Sequence, residues 1–285
     1  MNPAMNTANQ TFNWSRFRAA LRKEFVENWR TIVFAVIGMY LLLTIGMIFY
    51  NITNSFSNQL VNSINNYVPQ KNGYAGLVIA CIVGPSLAFR NLKTKNGRMS
   101  LFTLPASTLE KFLVNITIYV VGFYVMYHIC AQLADFTRIA VLLPFWNENL
   151  VVPGSLNFLN LVNDTVTGIG TMEVAAMTAT LSINLLSCMA MYLMGSILWP
   201  RLSLLKTFVA GQILSIIVTV LVIIAMLTYF GIEQFEDNFR DFMFASGGNV
   251  LWTWSGWYIA ETLVFGTLAW FLFKRKDIIS TKWWK

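Results

Sequence analysis

Glu261 is the one formally charged side chain that falls inside a long apolar run, near the middle of the stretch from Val250 to Phe273. A charged side chain at the centre of a membrane helix costs about 2.5–3.5 kcal/mol on insertion scales, so it must be protonated, paired or facing a wet cavity. By depth, Asn184 and Tyr124 are the polar side chains able to reach it. Its chemistry would be that of a substrate path or a proton relay. The plainer expectation is a neutral acid hydrogen-bonded across helices, which is ordinary in membrane bundles. Other chemistry is scarce. There is no GxxxxGK[ST] phosphate loop and no HExxH, and His128 is the only histidine, which leaves no Ser/His/Asp arrangement. Cys81, Cys130 and Cys188 lie in apolar runs without CxxC spacing and read as small buried apolar residues, not as a metal site. The chain is expected not to be an enzyme and to hold no cofactor.

The elements that must position these residues are membrane spans. Of 285 residues, 56% are hydrophobic and 12% charged, against about 25% charged in a soluble domain. A bilayer core of about 30 Å needs roughly 20 residues of helix. Six apolar runs answer that requirement, at about 32–50, 73–89, 112–134, 174–198, 207–230 and 250–273. The second is short and contains Gly84-Pro85, which a membrane helix tolerates where neighbours satisfy the freed backbone groups. With the N-terminus inside, all basic residues but Lys71, Arg138 and Arg240 fall on the inner side, as the positive-inside rule requires. The expectation is an all-α polytopic bundle of six spans with both termini cytoplasmic. The N-terminal tail lacks the order of a cleavable signal. The net charge of +7 is explained by anionic lipid and topology, so no nucleic-acid partner is expected.

Ahead of the first span, within residues 1–31, Trp14, Phe17, Leu21, Phe25 and Trp29 recur at steps of three and four among basic residues. This predicts an amphipathic helix lying in the inner interface, aromatic face in the acyl chains. The first inner loop, 90–111, carries Asn96-Gly97, a turn signal. It ends in Ser107-Thr-Leu-Glu110, which has the spacing of a capping box. Pro105 holds Leu104 extended ahead of it. The result is a basic, partly apolar knob suited to docking. The second inner loop, 200–206, repeats Pro, Ser and Lys more weakly. Outside, residues 135–173 form a long segment of the kind that is functional or disordered, and residues 274–285 form a basic inner tail.

The basic amphipathic helix, the six-span layout and Leu-Pro-Ala-Ser-Thr-Leu-Glu-Lys at 104–111 together resemble the permease subunits of type-2 ATP-binding-cassette transporters. The layout covers nearly the whole chain, the motif only these eight residues. The resemblance implies an exporter permease in the bacterial cytoplasmic (inner) membrane, paired with a second copy of itself or a related permease. ATP would be hydrolysed by a separate ATPase. It further implies that Arg98, Leu104, Pro105, Ser107, Glu110, Lys111 and Arg201 contact that ATPase. A non-transporting membrane scaffold or regulatory subunit explains the topology equally well. An ion-coupled secondary transporter would require internal repeats and several midplane polar residues, which the sequence does not display.

Overall fold

The computed structural model describes residues 12–55, 67–142, 171–230 and 247–275. All regular structure among them is helical: α1 (Trp14–Ser55), α2 (Tyr67–Leu87), a 3-10 turn (Arg90–Lys93), α3 (Lys95–Phe102), α4 (Thr108–Ile116), a π turn (Thr117–Gly122), α5 (Phe123–Leu142), α6 (Thr171–Leu198), α7 (Ser203–Phe230) and α8 (Gly247–Lys274). Among the described residues five helices are long and apolar enough to cross a membrane, at Trp14–Phe49, Thr108–Val141, Ala179–Leu198, Ser203–Ala225 and Trp254–Lys274. A shorter apolar helix occupies Ala75–Leu87. The chain is therefore a membrane protein built from helices.

α1 corrects the expected layout. The amphipathic segment and the first span form one uninterrupted helix of 42 residues, because Trp29-Arg30-Thr31-Ile32 contains no glycine, proline or cap to break the hydrogen-bond ladder. A second correction concerns the third apolar run. α5 continues to Leu142, carrying Asp135 and Arg138 into the bundle as a buried i,i+3 pair at 2.7 Å. Glu261 is thus not the sole charged residue within the long helices, and Arg138 is not a loop residue. Of the expected outer segment 135–173, residues 143–170 lie outside the described residues, as do Arg240 and most of the basic tail.

Among the described residues, a smaller apolar cluster of Phe17, Ala20 and Val114 and two larger ones hold the bundle together. One joins Leu43 and Met47 of α1, Leu77 and Cys81 of α2, Tyr127 and Ala131 of α5, and Leu185 and Met189 of α6. The other gathers Phe89, Leu101, Phe112, Phe123, Ile197, Ala269 and Phe273 at the end where the short helices lie. α1 runs alongside α4 and α5 in the same direction, since Asn13 meets Glu110 at one end and the Val36 carbonyl accepts from Cys130 Sγ (3.9 Å) farther along.

α6 and α7 turn back on each other through Gly195. A Cβ there would fall 1.9 Å from Thr207 Oγ1, 2.6 Å from its Cγ2 and 2.8 Å from its Cβ. Threonine is stiff at χ1 and has little room to retreat. Gly195→Ala is expected to cost about 1–3 kcal/mol, the usual penalty for overpacking. Adding Thr207→Ala removes the two closer contacts and should recover part of the loss, read as melting temperature in detergent.

Candidate functional site

The short helices at one end of the bundle build a stiff corner from local signals. Thr94 caps α3, its Oγ1 accepting the Gly97 amide (3.1 Å). Asn96-Gly97 is therefore the first turn of a helix and not the expected loop turn. Glycine is required because a Cβ at 97 would meet the Asn91 carbonyl oxygen at 2.3 Å. α3 ends in a bend over residues 103–106, where the Ala106 amide donates to the Leu104 carbonyl (2.8 Å). The capping box then forms as its spacing predicts: Ser107 Oγ accepts the Glu110 amide (3.2 Å), and the Ser107 amide donates to Glu110 Oε2 (2.7 Å).

Glu110 does more than cap. Its Oε1 also accepts the Asn13 amide (2.7 Å) and pairs with Arg16 Nη2 (3.3 Å), so one carboxylate with 0% exposure ties the start of α1 to the start of α4. Beside it Lys111 Nζ donates to the Phe102 carbonyl (3.0 Å) and stands over that ring. Next comes an aromatic cluster, in which Phe112 lies 5.3 Å from Trp270 and Phe89 lies 5.0 Å from Phe273. This packing fixes α3 and the loop against the end of α8.

The other side of the corner is the polar face of α1. Lys23 Nζ donates to the carbonyl (3.1 Å) and Oγ (2.9 Å) of Ser100. Glu24 Oε1, buried, accepts from Asn91 Nδ2 (2.9 Å) and Asn28 Nδ2 (2.7 Å). Arg90 Nη1 reaches Thr31 Oγ1 (3.3 Å). The aromatic stripe divides accordingly. Phe17 is buried and Leu21 half-buried against Val114, whereas Trp14, Phe25 and Trp29 remain exposed. Sequence reasoning missed Asn13, Arg16, Lys23, Glu24, Asn91 and Ser100. The signal was present in the polar run of Arg16, Lys23, Glu24, Glu27 and Asn28 along one flank.

This placement re-sorts the residues expected to meet a partner. Ser107, Glu110 and Lys111 are buried inside the chain. Arg98 is half-buried and donates to the Leu92 carbonyl (3.2 Å), and Leu104 packs on Phe17, Ala20 and Val114. Pro105 and Arg201 are exposed. So are Met99 and Leu109 beside the first corner, and Leu202, which is 70% exposed in the second. Leu202 has φ 57°, a left-handed conformation uncommon for leucine. Ser203 does not cap this second corner as its spacing suggested, because its Oγ is buried without a hydrogen bond.

Glu261 sits in the middle of α8, hydrogen-bonded to other partners than expected. Ser187 Oγ donates to its Oε2 and Trp257 Nε1 to its Oε1, both at 2.8 Å. Asn184 lies on the same helix as Ser187, one turn away, and makes no hydrogen bond to Glu261; Tyr124 is exposed and packs edge-on against His128. The expectation took sequence depth as proximity, but α6 presents Ser187 at that level and Tyr124 points out of the bundle. A second interhelical bond, Thr180 Oγ1 to Ser255 Oγ (2.8 Å), runs parallel to the first.

No protein-family model, curated protein or solved structure matches the chain. What the arrangement can do follows from its mechanics. α3, the bend and α4 are pinned to α1 by Glu110 and Lys23, and to α8 by the aromatic cluster. The corner is thus joined to α1, to α8 and, through α4 and the π turn, to α5. Among the described residues there is no cluster of histidine, cysteine or acidic side chains able to hold a metal ion.

Proposed function

We propose that the chain is the membrane-spanning permease subunit of an ATP-binding-cassette transporter, an exporter driven by a separate ATPase that docks on loops 90–111 and 200–206. It would cross the bacterial cytoplasmic membrane six times with both termini inside, and work with a second copy of itself or a related permease. The observation that carries this reading is the corner built on Glu110. A loop serving only as a connection needs no buried carboxylate bonded to a residue ninety-seven positions away. A loop that receives a mechanical stroke does, because slack would dissipate it. The basic charges that frame the loop favour an inner position under the positive-inside rule, on the side where ATP is.

The surface offered to the ATPase is then the exposed set, Met99, Pro105, Leu109, Arg201 and Leu202, while Ser107, Glu110 and Lys111 shape it from beneath. An apolar anchor at the centre of a contact typically costs 2 kcal/mol or more when lost, about thirtyfold in affinity. Met99→Glu and Leu202→Glu should each cut recovery of a copurifying ATP-binding-cassette ATPase in mild detergent at least tenfold, with the permease itself unchanged in yield and elution. Equal recovery with both variants would dismiss the coupling surface, and absence of any ATPase would favour the scaffold reading.

A further inference from the structure

Glu261 occupies a place that a purely structural acid does not require. It lies midway along a helix of 28 residues, half-buried, on the flank of α8 that borders α6. None of the ion pairs among the described residues includes it. Along the same flank, at steps of three and four, stand Trp254, Trp257 and Tyr258. The two indoles are 45% and 47% exposed, and the Trp254 and Tyr258 rings lie 6.3 Å apart. Trp257 turns its N–H to the carboxylate. On the same face the helix surface is apolar and open, with Val264 and Leu268, three and seven positions on from Glu261, exposed. A carboxylate without a cationic partner, flanked by indole and phenol rings, is the recognition chemistry of an organic cation. Its setting on a half-open apolar flank selects a cation with a large apolar body that dissolves in the bilayer.

We propose that Glu261, with Trp254 and Trp257, forms a binding site for membrane-dissolved cationic amphiphiles reached laterally between α6 and α8. Ser187 holds the carboxylate's second oxygen and so sets its direction. That such cations are the transported cargo rests on the permease reading; that they bind here does not.

The test uses the full chain in phosphatidylcholine nanodiscs and two probes of nearly the same shape and opposite charge, tetraphenylphosphonium and tetraphenylborate. Equilibrium dialysis should show saturable binding of the phosphonium and none of the borate. E261Q should weaken phosphonium binding at least tenfold, and W254L, which alters an exposed ring, by about threefold to tenfold, in line with a cation–π contribution. Equal binding of both probes, or E261Q and W254L variants that bind like the parent chain, would overturn the site. If E261Q fails to fold, W254L alone decides. A homodimer that shields Trp257 from an aqueous or lipid-borne quencher would also overturn it, making this flank a contact between copies. Phosphonium binding with no ATPase partner would leave the site standing and the permease reading fallen; an ATPase partner without phosphonium binding would do the reverse.

Discussion

Glu110→Ala is expected to destabilise the chain by about 2–4 kcal/mol, mainly the cost of removing a charged acceptor from two backbone amides. Loss of a helix cap alone would cost about 1 kcal/mol. The larger figure is expected because the same carboxylate accepts the Asn13 and Ser107 amides and faces Arg16. Alanine leaves the Ser107 amide buried without its acceptor, and removes the partner of the Asn13 amide and of an Arg16 side chain that is 27% exposed. Glu110→Gln is the informative companion. It keeps one carbonyl oxygen, but its amide nitrogen must then face one of the two N–H donors, so about 1–3 kcal/mol should be lost. Equilibrium unfolding in mixed micelles measures both, and trypsin should cut faster after Lys93, Lys95 and Arg98 when the corner opens. An exposed neighbour, Thr108→Ala, should stay within about 0.5 kcal/mol of the parent. A Glu110→Ala chain as stable as that control would mean the corner is not held by its carboxylate.

How much of this was legible in the sequence depended on whether the signal was local. The capping box is a four-residue pattern, and it formed as read. That Glu110 would also bind Asn13 and Arg16 was not legible, since nothing in the spacing joins positions 94 to 97 residues apart. The amphipathicity of the first segment was visible, but not which face would pack. In a membrane protein the apolar face can be left to lipid while the polar face meets the protein. α1 does this, burying Glu24 and exposing Phe25 and Trp29. The same inversion misled the reading of Glu261, for which depth in the sequence was a poor guide to neighbours. Asp135 and Arg138 could have been found: opposite charges three residues apart at the end of an apolar run are a helix-continuing pair. The π turn at Thr117–Gly122 has no such signature, because a single widened turn is set by what packs on it.

That π turn gives the second large prediction. α2 passes it at Gly84, where an added Cβ would lie 2.4 Å from the Tyr119 carbonyl oxygen and 2.9 Å from Phe123 Cβ. Both neighbours are fixed. The oxygen belongs to the backbone of the π turn, and Phe123 is buried in the cluster that closes this end of the bundle. Pro85 follows directly and limits how the helix can bend locally. Gly84→Ala must therefore displace α2 as a body, and about 3 kcal/mol is expected, the upper part of the range for overpacked cores. Gly76 makes the comparison that isolates the cause. A Cβ there would meet Leu43 Cδ2 at the same 2.4 Å, but that atom is the far end of a flexible side chain, which can move to another rotamer well. Gly76→Ala should cost about 1 kcal/mol, the lower end of the range for overpacked cores, because Leu43 can rotate and Tyr127 Cε2, at 3.3 Å, need give only slightly. Melting curves of the two single variants, run in one detergent, test the difference. If they fall together, the approach of α2 to the π turn is as adjustable as a side chain, and the turn does not fix where α2 sits.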